Sequence, residues 1–341
     1  MQLEVHGHPL HSRALSVTLV QRTDGHLDVA GRILDLRKRG FVPVAGDLQG
    51  AGIVHDMQLD CVLDPATQVL VRVVPEQRAV AFEPSALSEG ECCRDPIDRV
   101  RALAGLAIDG QFRRHLSAAI GGPRGCSHIL TLAHLLGSTV SRALALDRER
   151  FGPAPSRRPG ERVFRRDVII DGHEPAAGKV DLAVQLTDLH FAPAPAVALP
   201  MDRFAAQLEI RGLARVDLQS WALAQLSVAE RRRTYDDLES AVWRDRSDAV
   251  QGVVGISLFQ GVSADLTRRV GDEPGDRPLL DALLMLAPAL IQCAAALSEG
   301  WPLRAKQSPS LMATGGLPDS CYMWRRDGAL AKTRGDEPFQ R

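Results

Sequence analysis

The sequence predicts an α+β protein made of a tandem duplicated unit, antiparallel strands followed by helices, with the two units in a pseudo-twofold arrangement. Three observations lead there. Period-two runs give way to helical spacing. That order recurs after the break GPAPSRRPG at 152–160, which can continue neither a helix nor a central strand. Residues 101–147 also slide onto 251–297 without a gap, keeping apolar positions and several glycines in register, with seven identities in 47 positions.

The first half has alternating apolar and polar runs at 15–21, 27–36, 57–63, 68–74 and 78–82, as half-buried antiparallel strands require. Helical spacing follows at 97–118 and 127–146. The second half offers strands at 167–170, 179–186, 204–210 and 214–218, then helices at 227–245, 248–268 and 279–297. LDVAGRILDL at 27–36 resembles VDLAVQLTDL at 180–189, which sets Arg13 on Arg166 and Asp35 on Asp188 at an offset of 153. The expected organisation is a first unit at 1–151, a linker at 152–160, a degenerate second unit at 161–300, and a strap and tail at 301–341.

A net charge of −1 with both signs interspersed gives no electrostatic reason to expect nucleic acid or acidic lipid as a partner. The opening MQLEVHGHPL lacks the basic and apolar regions of a signal peptide, and 279–297, with Asp281, Pro288 and Gln292, reads as a buried helix. Six irregularly spaced cysteines do not form a disulfide framework, so the expectation is a cytoplasmic protein with reduced thiols. It is expected to take a small-molecule substrate and no cofactor, with homo-oligomerisation open. GGPRGC at 121–126 lacks the P-loop lysine.

The chemistry-bearing residues are those that the first unit alone carries. Ser127 is the expected N-cap of the helix after it, His128 its first residue, and Cys126 lies just outside, where the helix dipole favours a thiolate. Cys126 faces Asp276 and His128 faces Pro278 in the second unit. The alternative is that Cys126 packs as a small apolar residue and His128 fills the first turn. His55 faces Asp202 at an offset of 147; it reads as a general base, a metal ligand, or a surface residue beside a turn. Asp56 stands beside it to orient or ligate. Cys321-Tyr322-Met323-Trp324-Arg325-Arg326-Asp327-Gly328 reads either as a strap closing over a site, contributing Cys321 or Arg325, or as a surface turn. His6, His8 and His11 read either as metal ligands or as a solvated, mobile start, Cys92 and Cys93 as packing, and Glu230–Arg233 as the solvated face of a helix.

Through His11-Ser12-Arg13, Arg22–Gly25, Leu27–Gly31, Asp35, His55-Asp56-Met57, Gly125–Ile129 and 321–328, the chain resembles a bacterial family, domain-of-unknown-function family 2889. The resemblance covers 8–147 and 319–329. It implies a candidate site and an association with the breakdown of aromatic compounds and acyl thioesters.

The leading expectation is an enzyme, a lyase using acid–base chemistry on an aromatic or carboxylated substrate. His55 is its base, His128 or Cys126 the proton donor or nucleophile, and Arg13 or Arg325 the anchor of an anionic group. The alternatives are a metal site at His55, Cys126 and His128, joined by Asp56 or Cys321, and a non-catalytic ligand-binding or assembly protein.

Overall fold

A computed structural model of the chain describes residues 5–44, 47–194, 199–259, 261–297 and 318–333. Its strands are β1 (His8–Gln21), β2 (Leu27–Arg37), β3 (Val42–Val44), β4 (Asp47–Gln49), β5 (Gly52–Asp64), β6 (Val69–Ala79), β7 (Arg162–Glu174), β8 (Lys179–Phe191), β9 (Phe204–Asp217), β10 (Ala222–Arg233) and β11 (Arg244–Asp245). Nine of them form one antiparallel sheet in the order β11-β10-β9-β8-β7-β1-β2-β5-β6, and β3 and β4 form a separate ribbon. The helices are α1 (Ile97–Arg101), α2 (Phe112–Ile120), α3 (Ser127–Phe151), α4 (Val262–Val270), α5 (Arg277–Leu284), α6 (Leu286–Ala296) and α7 (Ala329–Thr333).

Alternation explains the sheet. Along β1, Leu15, Val17 and Leu19 are buried, while Ser16 and Thr18 between them are half-exposed. The inward rows of β2, β5, β7, β8 and β9 continue this apolar face, and α3, α5 and α6 lie on it. Close approach is purchased with glycine: a Cβ on Gly172 would collide with Cys293 of α6. Helices Ser127–Phe151 and Arg277–Ala296 are long and apolar enough to cross a membrane, but 56% and 67% of their most apolar windows are buried in the fold.

β1 pairs with β7 from His8 opposite Glu174 to Val20 opposite Arg162, so the two halves share one sheet and one core rather than having separate cores. Both halves run from strands to helices, though the ribbon β3–β4 has no counterpart among the described residues of the second half. α4 starts 150 residues after α2, α5 starts 150 after α3, and β10 starts 153 after β6. Arg13 opposes Asp35 between β1 and β2 as Arg166 opposes Asp188 between β7 and β8.

Several expectations need correction. The runs at 68–74 and 78–82 form one strand, β6, and those at 204–210 and 214–218 form β9. The segment 97–118 breaks into α1 and α2 around a turn, and 248–268 holds a 3₁₀ turn, Ser247–Val253, and then α4. The stretch at 227–245 begins as strand β10, not helix. Its charges form strand-face pairs, Arg231 with Glu209 and Arg232 with Glu230, because pairing with β9 overrides local periodicity. The cross-strand partner of Asp35 is His55 and that of Asp188 is Leu208, so His55 corresponds to Leu208. Asp202 lies in the 3₁₀ turn before β9.

Candidate active site

Asp35 is the hub of the candidate site. Inward positions of β1, β2 and β5 bring Arg13, Asp35 and His55 into one lane, because Asp35 opposes Arg13 on one side and His55 on the other. Arg13 grips the carboxylate with two N–H groups, Nε to Oδ1 at 2.7 Å and Nη2 to Oδ2 at 3.0 Å. His11 Nε2 lies 2.8 Å from Oδ1 and His55 Nδ1 lies 3.1 Å from Oδ2. From the helix layer, the first turn of α3 brings His128 Nε2 to 3.5 Å from Oδ2. The His55 and His128 rings stack with centroids 3.7 Å apart and planes 31° from parallel. Gln292 of α6 places Nε2 3.4 Å from His128 Nε2, so the second half also touches the cluster.

The site is nearly closed: Arg13, Asp35, His11 and His55 are buried, and His128 keeps 14% of its side chain exposed. Burial by itself raises a carboxyl pKa. Here the Arg13 charge and the hydrogen bonds from His11 and His55 overcome it and hold Asp35 well below the usual range. Desolvation drives His128 well below the ordinary imidazole value, with His55 and Arg13 adding to the effect, so it is neutral at neutral pH. His11 is lowered, mainly by burial and against the pull of Asp35. With Asp35 as acceptor, the network assigns the His55 proton to Nδ1, and Nε2 makes no hydrogen bond among the described residues.

Cys126 is the N-cap of α3, and Ser127 is the first helical residue, one position earlier than expected. Its Sγ lies 3.9 Å from His128 Nδ1 and 3.9 Å from Met57 Sδ. Burial pushes the thiol up to about 12, outweighing the N–H groups of Ile129 and His128, so Cys126 is a thiol and not the expected thiolate.

The remaining candidates lie apart from the hub. Asp56 follows His55 on the strand and so points to the opposite face of the sheet, where it pairs with Arg32 at 2.9 Å. The strap does return, Tyr322 N–H donating to Gly125 O at 2.8 Å beside Cys126, and Trp324 packs edge-on against Phe82. Arg325 is occupied elsewhere, stacked 4.0 Å above the Tyr322 ring and paired with Glu91. Burial raises the Cys321 thiol, which lies within electrostatic reach of Cys126.

Sequence reasoning missed three members. His11 is buried on Asp35 rather than solvated. Asp35 recurs as Asp188 and so escapes a search for residues that the first unit alone carries, and Gln292 gives no signal of a site. The parity of His11 and Arg13 on one strand was the available clue.

Residues 11–142 match the model of a family described as a protein of unknown function, DUF2889. This segment is a DUF2889 domain. His11, Arg13, Asp35, His55, Cys126 and His128 all lie inside it, whereas Gln292 and the strap lie outside. No curated protein matches the chain.

Proposed function

We propose that the DUF2889 domain carries the active site of a cytoplasmic enzyme, a lyase acting by acid–base chemistry on a small aromatic or carboxylated substrate. The observation that carries this reading is the convergence of His55 and His128 on one oxygen of Asp35. A carboxylate that accepts Nδ1–H orients the imidazole and stabilises the imidazolium formed when Nε2 takes a proton. His55 is then the base. His128, kept neutral, with the Cys126 thiol at its Nδ1, forms the proton-donating side. Cys126 thus enters as a proton source rather than a nucleophile.

The two halves are read as copies of one unit. Matched element spacings and the paired Arg13–Asp35 and Arg166–Asp188 forks support this. In the second half Asp188 is held by Arg166 and Arg142, with no histidine on it among the described residues, so that half serves as scaffold. The test is turnover across a panel of hydroxy and aromatic carboxylic acids. His55→Ala and His128→Ala should each abolish it and leave the fold intact; full activity in either variant ends this reading.

A second reading, a metal centre, has one observation in its favour: Asp35, His55 and His128 each offer a ligand atom within 4.8 Å of the others. The rings argue against it. Imidazoles radiating from one ion at bond lengths of about 2 Å keep their centroids roughly 4.5–5 Å apart, not stacked at 3.7 Å. Asp35 is also already bound by Arg13 and His11. Stoichiometric zinc or iron in purified protein would favour the metal centre over the acid–base reading.

A further inference from the structure

The two buried Arg–Asp forks differ at one nitrogen. In the second half Arg166 holds Asp188 through Nε at 2.6 Å and Nη2 at 2.8 Å, and its Nη1 donates to Asp281 Oδ2 at 2.6 Å. Ser138 Oγ donates to the same carboxylate oxygen at 2.7 Å. In the first half Arg13 makes the same fork to Asp35, but its buried Nη1 has no partner among the described residues.

The missing acceptors can be traced through the helices. At their spacing of 150, Asp281 corresponds to Thr131 and Ser138 to Pro288. Thr131 turns its Oγ1 to Ser127 O at 2.9 Å, and proline offers no side-chain acceptor. A charged donor buried without an acceptor is costly, so such a group points to a ligand that supplies one.

We infer that Arg13 Nη1 is the subsite for the carboxylate of a small organic acid, one oxygen taking the place that Asp281 Oδ2 fills against Arg166. This rests on reading the histidine cluster as an active site, and it names the substrate class. A guanidinium nitrogen beside a neutral His128 suits an anion, and the internal counterpart is itself a carboxylate.

Charge balance adds a second readout. The second half offsets its two carboxylates with Arg142 on Asp188 Oδ2 and Arg277 on Asp281 Oδ1, whereas the first half has His55 and His128 beside Asp35 Oδ2 and Ser127 at the position of Arg277. An incoming carboxylate is therefore balanced by a proton taken up at His128. The charged and titratable groups facing His55 and His128 are Asp35 from β2, Arg13 and His11 from β1 and Cys126 at the start of α3, while Cys293 of α6 senses Arg13 and Asp35. Binding is then tighter at lower pH, by up to about tenfold per unit.

Thermal melting of the full chain with sodium acetate or benzoate, against sodium chloride at equal ionic strength, tests the subsite. Acetate at roughly ten times its Kd should raise Tm by about 2 °C, more strongly at pH 6 than at pH 8, and chloride should not. Thr131→Asp supplies the carboxylate internally, so it should raise Tm without acetate and remove the acetate response. Asp281→Ala should melt lower and regain stability with acetate. Acetate acting no better than chloride on the unaltered protein, or a full acetate response in Thr131→Asp, overturns the subsite. Binding is read without turnover: acetate binding by a protein that catalyses nothing would keep the subsite and remove the enzyme reading, and turnover without binding would do the reverse.

Discussion

His55 of β5 and His128 of α3 stack at 3.7 Å and share Asp35 Oδ2, at 3.1 and 3.5 Å, although a strand and a helix from distant parts of the chain carry them. Residues that work as one proton-transfer unit do not contribute additively. Each of His55→Gln and His128→Gln should therefore lower kcat by about 10²–10⁴, and the double variant little further. Steady-state kinetics beside circular dichroism measures this; independent, multiplicative losses would separate the two histidines.

Asp35 is the only carboxylate on Arg13 among the described residues, whereas Arg166 has both Asp188 and Asp281. Removing one partner of a buried pair leaves an uncompensated charge and costs about 3–5 kcal/mol. Asp35→Asn should lose this much in urea denaturation, and Asp188→Asn less, because Arg166 keeps Asp281 and because Arg142, the other partner of Asp188, is partly exposed to water. Equal losses would contradict this difference in charge compensation.

The Cys126 thiol, pushed up to about 12, should resist thiol reagents in the folded state. Raised by three units from its usual value of 9.0, it holds roughly 10³-fold less thiolate near pH 8 than an unperturbed cysteine. Site-resolved mass spectrometry after timed alkylation should find it labelled only once the chain unfolds. Labelling of native protein faster than a free cysteine would restore the thiolate.

Stability should fall on acidification. His128, His11 and His134 have folded pKa values below their unfolded ones, His134 at about 4, chiefly through burial. The unfolded chain then binds more protons below about pH 6.5, so stability present above that pH is lost as it falls, by up to about 1.4 kcal/mol per unit for each group. Asp35, lowered in the fold, acts in the same direction from about pH 4 downward. His134→Leu, which copies Leu284 of the second half, should flatten Tm against pH between 6.5 and 4. An unchanged slope would show that His134 does not contribute.

The fold was largely legible because its signals are local. Alternation marked β1, β2, β5, β7 and β8, and helical spacing with a glycine-rich break marked α3. Legibility failed where pairing rather than pattern decides. Residues 227–245 look helical until β9 offers β10 a partner, and the counterpart of His55 is a matter of register that places Leu208 opposite Asp188. The candidate site divides in the same way. His55, Cys126, His128 and Arg13 stand out as residues, while His11 stays between a metal ligand and a solvated start because nothing local says that a histidine near the start of the chain is buried.

The sequence by itself determined the two strand-then-helix runs, the recurrence of the Arg–Asp pair and the place of the candidate histidines in the first half. These follow from side-chain polarity and spacing along one chain. Only the tertiary structure decided that Asp35 is the hub, that Asp56 and Arg325 turn elsewhere, that burial keeps Cys126 a thiol, and that Arg13, among the described residues, holds one nitrogen unpaired where Arg166 does not. Each of these depends on which groups meet across the sheet and how much water they lose there, and neither quantity is written in the neighbours of a residue along the chain.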